Sequence, residues 1–285
     1  MINLFLSQTD FQIDTHSFNR CQKLTQIIIP SWIKTIPKNA FISCISLSHV
    51  IIPPSVTSIE SNAFCYCISL KEISITSPQI SIGSEAFDQC SALTKCEISS
   101  SKIRIGISAF RRCTSLKQIS ISNSASLYSI EQYCFLKCSP LKQFSIPTSV
   151  SSIDCFAFKE CSSLTDVSIP NSVDSIDCYA FYKCLSLKKL VIPSSVKRID
   201  EYAFARCTSL SEITFEMPSS LIEIKKGAFS GCFSLKKISI PLSVAKIEDD
   251  VFQDCILLKE LSIHFKVNLK NIGINGNVNV IIEND

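Results

Sequence analysis

A phenylalanine returns at a fixed step along this chain: Phe18, Phe41, Phe64, Phe87, Phe110, Phe135, Phe158, Phe181, Phe204, Phe229 and Phe252. The step is 23 residues, lengthened to 25 between Phe110 and Phe135 and between Phe204 and Phe229. Eleven copies in phase constrain the fold more than any other feature. A unit this short cannot bury an apolar face alone and gains a core only when copies stack. An Ile stands five residues before each Phe, from Ile13 to Ile247. A Cys stands three after it, from Cys21 to Cys255, and a Leu six after it, from Leu24 to Leu258. Two more apolar residues follow at nine and eleven, such as Ile27 and Ile29 or Ile213 and Phe215.

The Leu-x-x-Ile-x-Ile stretch ends in the alternation of a strand with one buried face. Pro follows it in six copies (Pro30, Pro53, Pro147, Pro170, Pro193, Pro241) and closes the strand, because Pro lacks a ladder donor. A second apolar stretch, Val-x-x-Ile, comes next, as in Val173 to Ile176. The Ala-Phe-x-x-Cys segment then has to turn the chain back, through an irregular or short helical turn. Stacking the coils at ~4.8 Å gives a rod or arc on the order of 50 Å long, with continuous Phe, Ile, Leu and Cys columns inside.

The repeat leaves no linker, so residues 1–285 read as one mostly β solenoid. Residues 1–10 form a partial first coil, residues 11–263 carry the eleven repeats, and residues 264–285 form a C-terminal cap. Leu4 and Leu6 fall at the two inward strand positions, so the chain begins in mid-coil. In the cap, Gly276-Asn277 stands where Ala-Phe is expected, and Val278, Val280 and Ile282 alternate as a closing strand.

The full pattern, Ile-x-x-x-Ala-Phe-x-x-Cys-x-x-Leu-x-x-Ile-x-Ile-Pro-x-Ser-Val, resembles the BspA-like subclass of leucine-rich repeats over roughly residues 11 to 263. The resemblance implies a right-handed solenoid with a strand-lined face that binds other proteins, in surface antigens or adhesins at the cell surface. Other features of the sequence point to the cytoplasm. Residues 1–10 lack the cationic start and apolar run of a signal peptide. No stretch reaches transmembrane length, which argues against membrane insertion, and no Asn-x-Ser/Thr sequon occurs. The net charge is only +3 with both signs interspersed, so nucleic acid is not an expected partner.

Sixteen cysteines suggest disulfides or zinc until their positions are read. Eleven form the in-phase column and are expected to be buried as small apolar residues. Cys134 replaces the usual Ala and Cys96 a strand Ile, so both belong to the core. Of the remaining Cys65, Cys155 and Cys178, the last two hold the same place in adjacent coils, close enough for a bridge or a shared metal. No paired Cys-x-x-Cys motif or Cys/His knuckle accompanies them. His16, His49 and His264 occupy three different columns and read as surface residues. The acidic residues after the column Ile, and the basic group Lys102, Arg104, Arg111 and Arg112, read as solvated faces. With no catalytic constellation or phosphate loop, the chain reads as a non-enzymatic binder without cofactors.

The candidate partner-binding residues lie between the inward strand positions and must point outward. Eight after the Phe they are His49, Glu72, Lys95, Gln118, Gln143, Asp166, Lys189, Glu212 and Lys237. Ten after it, Ile28 and Ile51 add apolar surface among small hydroxyls, and Trp32 lies just beyond Pro30. This end is either a docking patch or a covered cap. Such a face suits a protein or glycoprotein. The alternative is an intracellular scaffold of the same fold, consistent with a reduced Cys column.

Overall fold

The computed structural model describes the backbone of residues 2–5 and residues 12–264 and 271–283 in full. Among these residues regular structure is strand only, and every strand pair is parallel and one coil apart. A first strand comes from the Leu-x-x-Ile-x-Ile stretch, as in Glu72–Ile75 and Lys189–Ile192. A second, usually of two residues, comes from the end of Val-x-x-Ile, as in Ser175–Ile176. Ile2–Phe5 pairs with Leu24–Ile28, and Leu4 lies opposite Ile27 as the mid-coil start requires; Leu6 lies outside the described residues. At the other end Asn279–Glu283 pairs with Glu260–His264; the part of the cap at 265–270 and 284–285 is likewise not described.

The columns are continuous. Phe41 through Phe252 are at most 1% exposed, and every column Ile and Leu is buried. The Phe rings stack coil on coil with centroids 5.0–6.1 Å apart and planes within 20°. Offset stacking of this kind adds to the area term at each step.

The turn around each Phe is not helical. The residues two before and two after it both adopt φ near +60°, at His16 and Arg20 in the first coil and at Asp250 and Asp254 in the last. Between them the backbone still bonds to the next coil: Phe41 N–H donates to the Ala63 carbonyl at 2.8 Å, and Ser43 N–H to that of Cys65 at 2.7 Å. The left-handed residues turn the chain while keeping its donors aimed along the stack. The Cys column completes the arrangement. From Cys44 to Cys255 each Sγ lies 3.0–3.4 Å from the carbonyl of the Phe one coil back, as with Cys184 and Phe158 at 3.3 Å. The thiol is therefore a weak donor to a buried carbonyl as well as a small apolar filler.

In four successive coils the residue two before the Phe is aromatic. Tyr133, Phe156, Tyr179 and Tyr202 stack at 4.9–5.1 Å along one edge, and Lys159 sits over Phe156 and Tyr179. The ladder ends where the Tyr202 ring lies on Gly227, which has φ +61° and where an added Cβ would stand 2.3 Å from Tyr202 Cε1. Gly227→Ala is expected to cost about 1–2 kcal/mol from the left-handed backbone alone, and more from displacing the ring. Adding Tyr202→Ala should recover the ring's share, measured by urea unfolding of the double-mutant cycle. Equal losses in the presence and absence of Tyr202 would contradict the contact.

Candidate partner-binding face

Alternation along the first strands sends the candidate residues outward as their positions predict. His49, Glu72, Gln118, Gln143, Asp166, Lys189, Glu212 and Lys237 are exposed, and Lys95 is half-buried. The ladder register sets them in line, with Glu72 opposite Lys95, Gln143 opposite Asp166, and Lys189 opposite Glu212. The line does not carry free charge throughout. Lys189 Nζ meets Glu212 at 2.8 Å, and Lys95 Nζ meets Glu97 at 2.6 Å. These partners raise the ammonium pKa of both lysines.

Near the N-terminal end the face is concave. Gln26, His49, Ile51, Glu72, Lys95 and Glu97 line a depression of about 420 Å³. Ile51 is 51% exposed within it. Ile28 is half-buried, and Trp32 is half-buried against the core. Of the small hydroxyls one residue further along each strand, Ser74, Ser120, Ser145, Ser168 and Ser239 are exposed. Ser262 and His264 are buried, because from Leu261 onward both sides of the last long strand are covered. The sequence reading placed His264 at the surface; His16 and His49 are exposed as expected.

The cysteines outside the column divide as their positions imply. Cys96 and Cys134 are buried in the core. Cys155 and Cys178 are half-buried and not disulfide-bonded, and burial, with the neighbouring Cys155 thiol second, raises the Cys178 thiol to about 12. Cys65 is buried beside Glu85 and Asp88, and the three ligand atoms lie within 4.8 Å of one another. That geometry would suit a metal, but a cation from the protein already serves it. Arg111 Nε and Nη2 donate to the two Asp88 oxygens at 3.0 and 2.7 Å, and Nη2 lies 3.5 Å from Glu85. Asp88 is 1% exposed. Arg111, read from sequence as part of a solvated basic patch, therefore neutralises a buried carboxylate one coil back. The exact 23-residue offset of the two residues was the one signal that could have shown it.

Stacked parallel coils with a strand-lined face over a Leu, Ile and Phe interior define a leucine-rich-repeat solenoid. The model of the BspA type leucine rich repeat region matches residues 11–135, 80–191, 128–259 and 174–284, and the chain belongs to that family. A leucine-rich repeat protein of Bacteroides ovatus is 26% identical, with a TM-score of 0.55 over 99% of this chain and 92% of that one. A leucine rich cell surface protein of Faecalibacterium prausnitzii is 27% identical, with a TM-score of 0.55 over 92% of this chain and 80% of that one. The pneumococcal vaccine antigen PcpA shares the fold at 21% identity and a TM-score of 0.52, over 99% and 78% of the two chains. No curated protein matches the sequence. No helix among the described residues is long and apolar enough to cross a membrane.

Proposed function

We propose that this chain is a non-enzymatic binding module whose protein or glycoprotein partner docks on the strand face, from Ile28 and His49 to Lys237. The observation that carries the reading is the register of outward side chains, which lines up polar and charged groups on a rigid ladder and leaves Ile51 exposed in a concave stretch of it. Interfaces draw their energy from a few anchors inside a polar surround. Ile51 and the half-buried Ile28 supply the apolar centre, and His49, Glu72 and Lys95 the rim. The similarity to a cell surface protein supports a place on the cell surface. Sixteen unpaired thiols favour the second reading, a scaffold in a reducing compartment.

The test places a photo-crosslinking residue at Gln143 or Lys237 on the face, and at Glu201 on the turn edge as a control. The same protein is expected to crosslink from both face positions and not from Glu201, and Ile51→Glu is expected to weaken its binding by about tenfold or more. Crosslinking from Glu201 alone would sink the assignment. A partner recovered from cytosol rather than from surface or extracellular material decides for the scaffold.

A further inference from the structure

A second concavity lies on a different flank and owes nothing to the strand face. In most coils the inward residues of the second stretch are spaced as Val-x-x-Ile, which makes a corner. Where Thr76 and Ser99 replace Pro, the spacing tightens to Ile80-x-Ile82 and Ile103-x-Ile105, and all four residues are buried. Period two makes a strand instead of a corner. The second strands accordingly lengthen to Gln79–Ile82 and Lys102–Ile105, which turns Gln79, Ser81, Lys102 and Arg104 outward. The coil that follows returns to the corner spacing at Leu127 and Ile130, both buried, and carries the two-residue insertion. It closes the widened sheet with a single bridge from Lys102 to Ser126 and leaves Tyr128 73% exposed at the margin. The step between the widened strands and this loop is a groove of about 750 Å³, within the ~300–1,000 Å³ typical of sites that hold small molecules.

Its charge differs from that of the later coils on this flank. Further along the same second-strand row, Arg198 lies 3.4 Å from Asp177 and 3.2 Å from Asp200, and Lys246 lies 2.7 Å from Glu223 and 2.6 Å from Glu248. Lys102 and Arg104 are exposed, and neither has an ion-pair partner among the described residues. The acid in the groove lining is Glu131, which accepts a hydrogen bond from the Ser129 hydroxyl at 2.9 Å. The remaining polar lining is the hydroxyls of Thr57, Ser81 and Ser126 and the Gln79 amide.

We infer that this groove binds an acidic oligosaccharide, with Arg104 and Lys102 on its carboxylate or sulfate groups and Tyr128 under a sugar ring. The guanidinium fork and the ammonium supply charge-assisted bonds to either anion. The hydroxyls and the amide match sugar hydroxyls as donors and acceptors. The exposed Tyr ring offers an apolar platform with a polar tip. An acidic peptide would use the two cations but has less use for a hydroxyl-lined wall.

Binding is measured by calorimetry with three probes: hyaluronan oligosaccharides for carboxylate, heparin-derived oligosaccharides for carboxylate plus sulfate, and neutral dextran oligosaccharides. At least one acidic probe should bind, and dextran should not. Lys102→Glu/Arg104→Glu is expected to weaken binding by about a hundredfold and Tyr128→Ala by about tenfold. Lys117→Glu, exposed and outside the groove, should leave it unchanged. All four positions are on the surface, and an unaltered thermal transition checks that each variant folds. The proposal is overturned if neither acidic probe binds, if Lys117→Glu weakens binding as much as the groove variant, or if a poly-glutamate peptide binds as tightly as the sugars. Failure here leaves the strand-face reading untouched, because the two sites share no residue.

Discussion

Raising the pH from 8 to 10 is expected to unfold the solenoid. Ten column thiols, Cys44 through Cys255, are buried. Burial pushes Cys44, Cys207 and Cys255 from the ordinary 9.0 up to about 12, and it raises the others well above 9.0. In the unfolded chain the same thiols ionise near 9.0. The unfolded state therefore loses protons that the folded state keeps, and stability falls as pH rises. The contribution is fully present below about pH 9 and is lost progressively up to the folded-state values. Each thiol removes about 1.4 kcal/mol per pH unit in that window, so ten of them remove on the order of 10 kcal/mol per unit. A domain's whole stability is about 5–15 kcal/mol, so the midpoint should fall near pH 10. Urea unfolding in reducing buffer from pH 7.5 to 10.5 measures it. Replacing Cys161, Cys184 and Cys207 by Val should make the fall shallower by about three protons. A stability that stays level to pH 10.5 would show that the thiols are not held as described.

Phe181→Ala is expected to cost about 3–5 kcal/mol, at the high end for a single residue. Phe181 is fully buried, and its ring stacks at 5.1 Å on both Phe158 and Phe204. The position in the stack matters as much as the size of the cavity. Each coil touches only its neighbours, so a gap in the middle weakens the one interface that joins the two halves. A single urea transition should therefore separate into two, with amide exchange rising first on one side of the gap. Phe252→Ala removes a ring with one Phe neighbour, at 6.1 Å, and should lower the midpoint without splitting the transition. If both variants unfold in one step with equal losses, the stack is not coupled from neighbour to neighbour.

The core was legible to the residue. A column in a solenoid has to present the same shape in every coil, so burial writes itself into the sequence as a period, and Ile36, Phe41, Cys44 and Leu47 are found where the period puts them. The outward residues of the strand face followed from the same alternation. The left-handed pairs flanking each Phe were not legible. His16, Asn39, Glu85, Ser108, Tyr179 and Gly227 share one backbone state and no side-chain type, because that state is held by bonds between coils and not by the residue that adopts it. Of the two expected forms, an irregular or a short helical turn, the chain takes the irregular one for this reason.

Sequence alone determined the number of coils, the columns inside them and, up to the last long strand, which strand residues face out, since each follows from covering one apolar face with the next. The tertiary structure decided which charges are free. Arg111 is bound to Asp88 and Lys189 to Glu212, while Lys102 and Arg104 line a groove with no ion-pair partner among the described residues. Whether a charge is neutralised depends on what the neighbouring coil sets a few ångströms away. That neighbour is more than twenty residues distant in the chain, and only stacking brings it close.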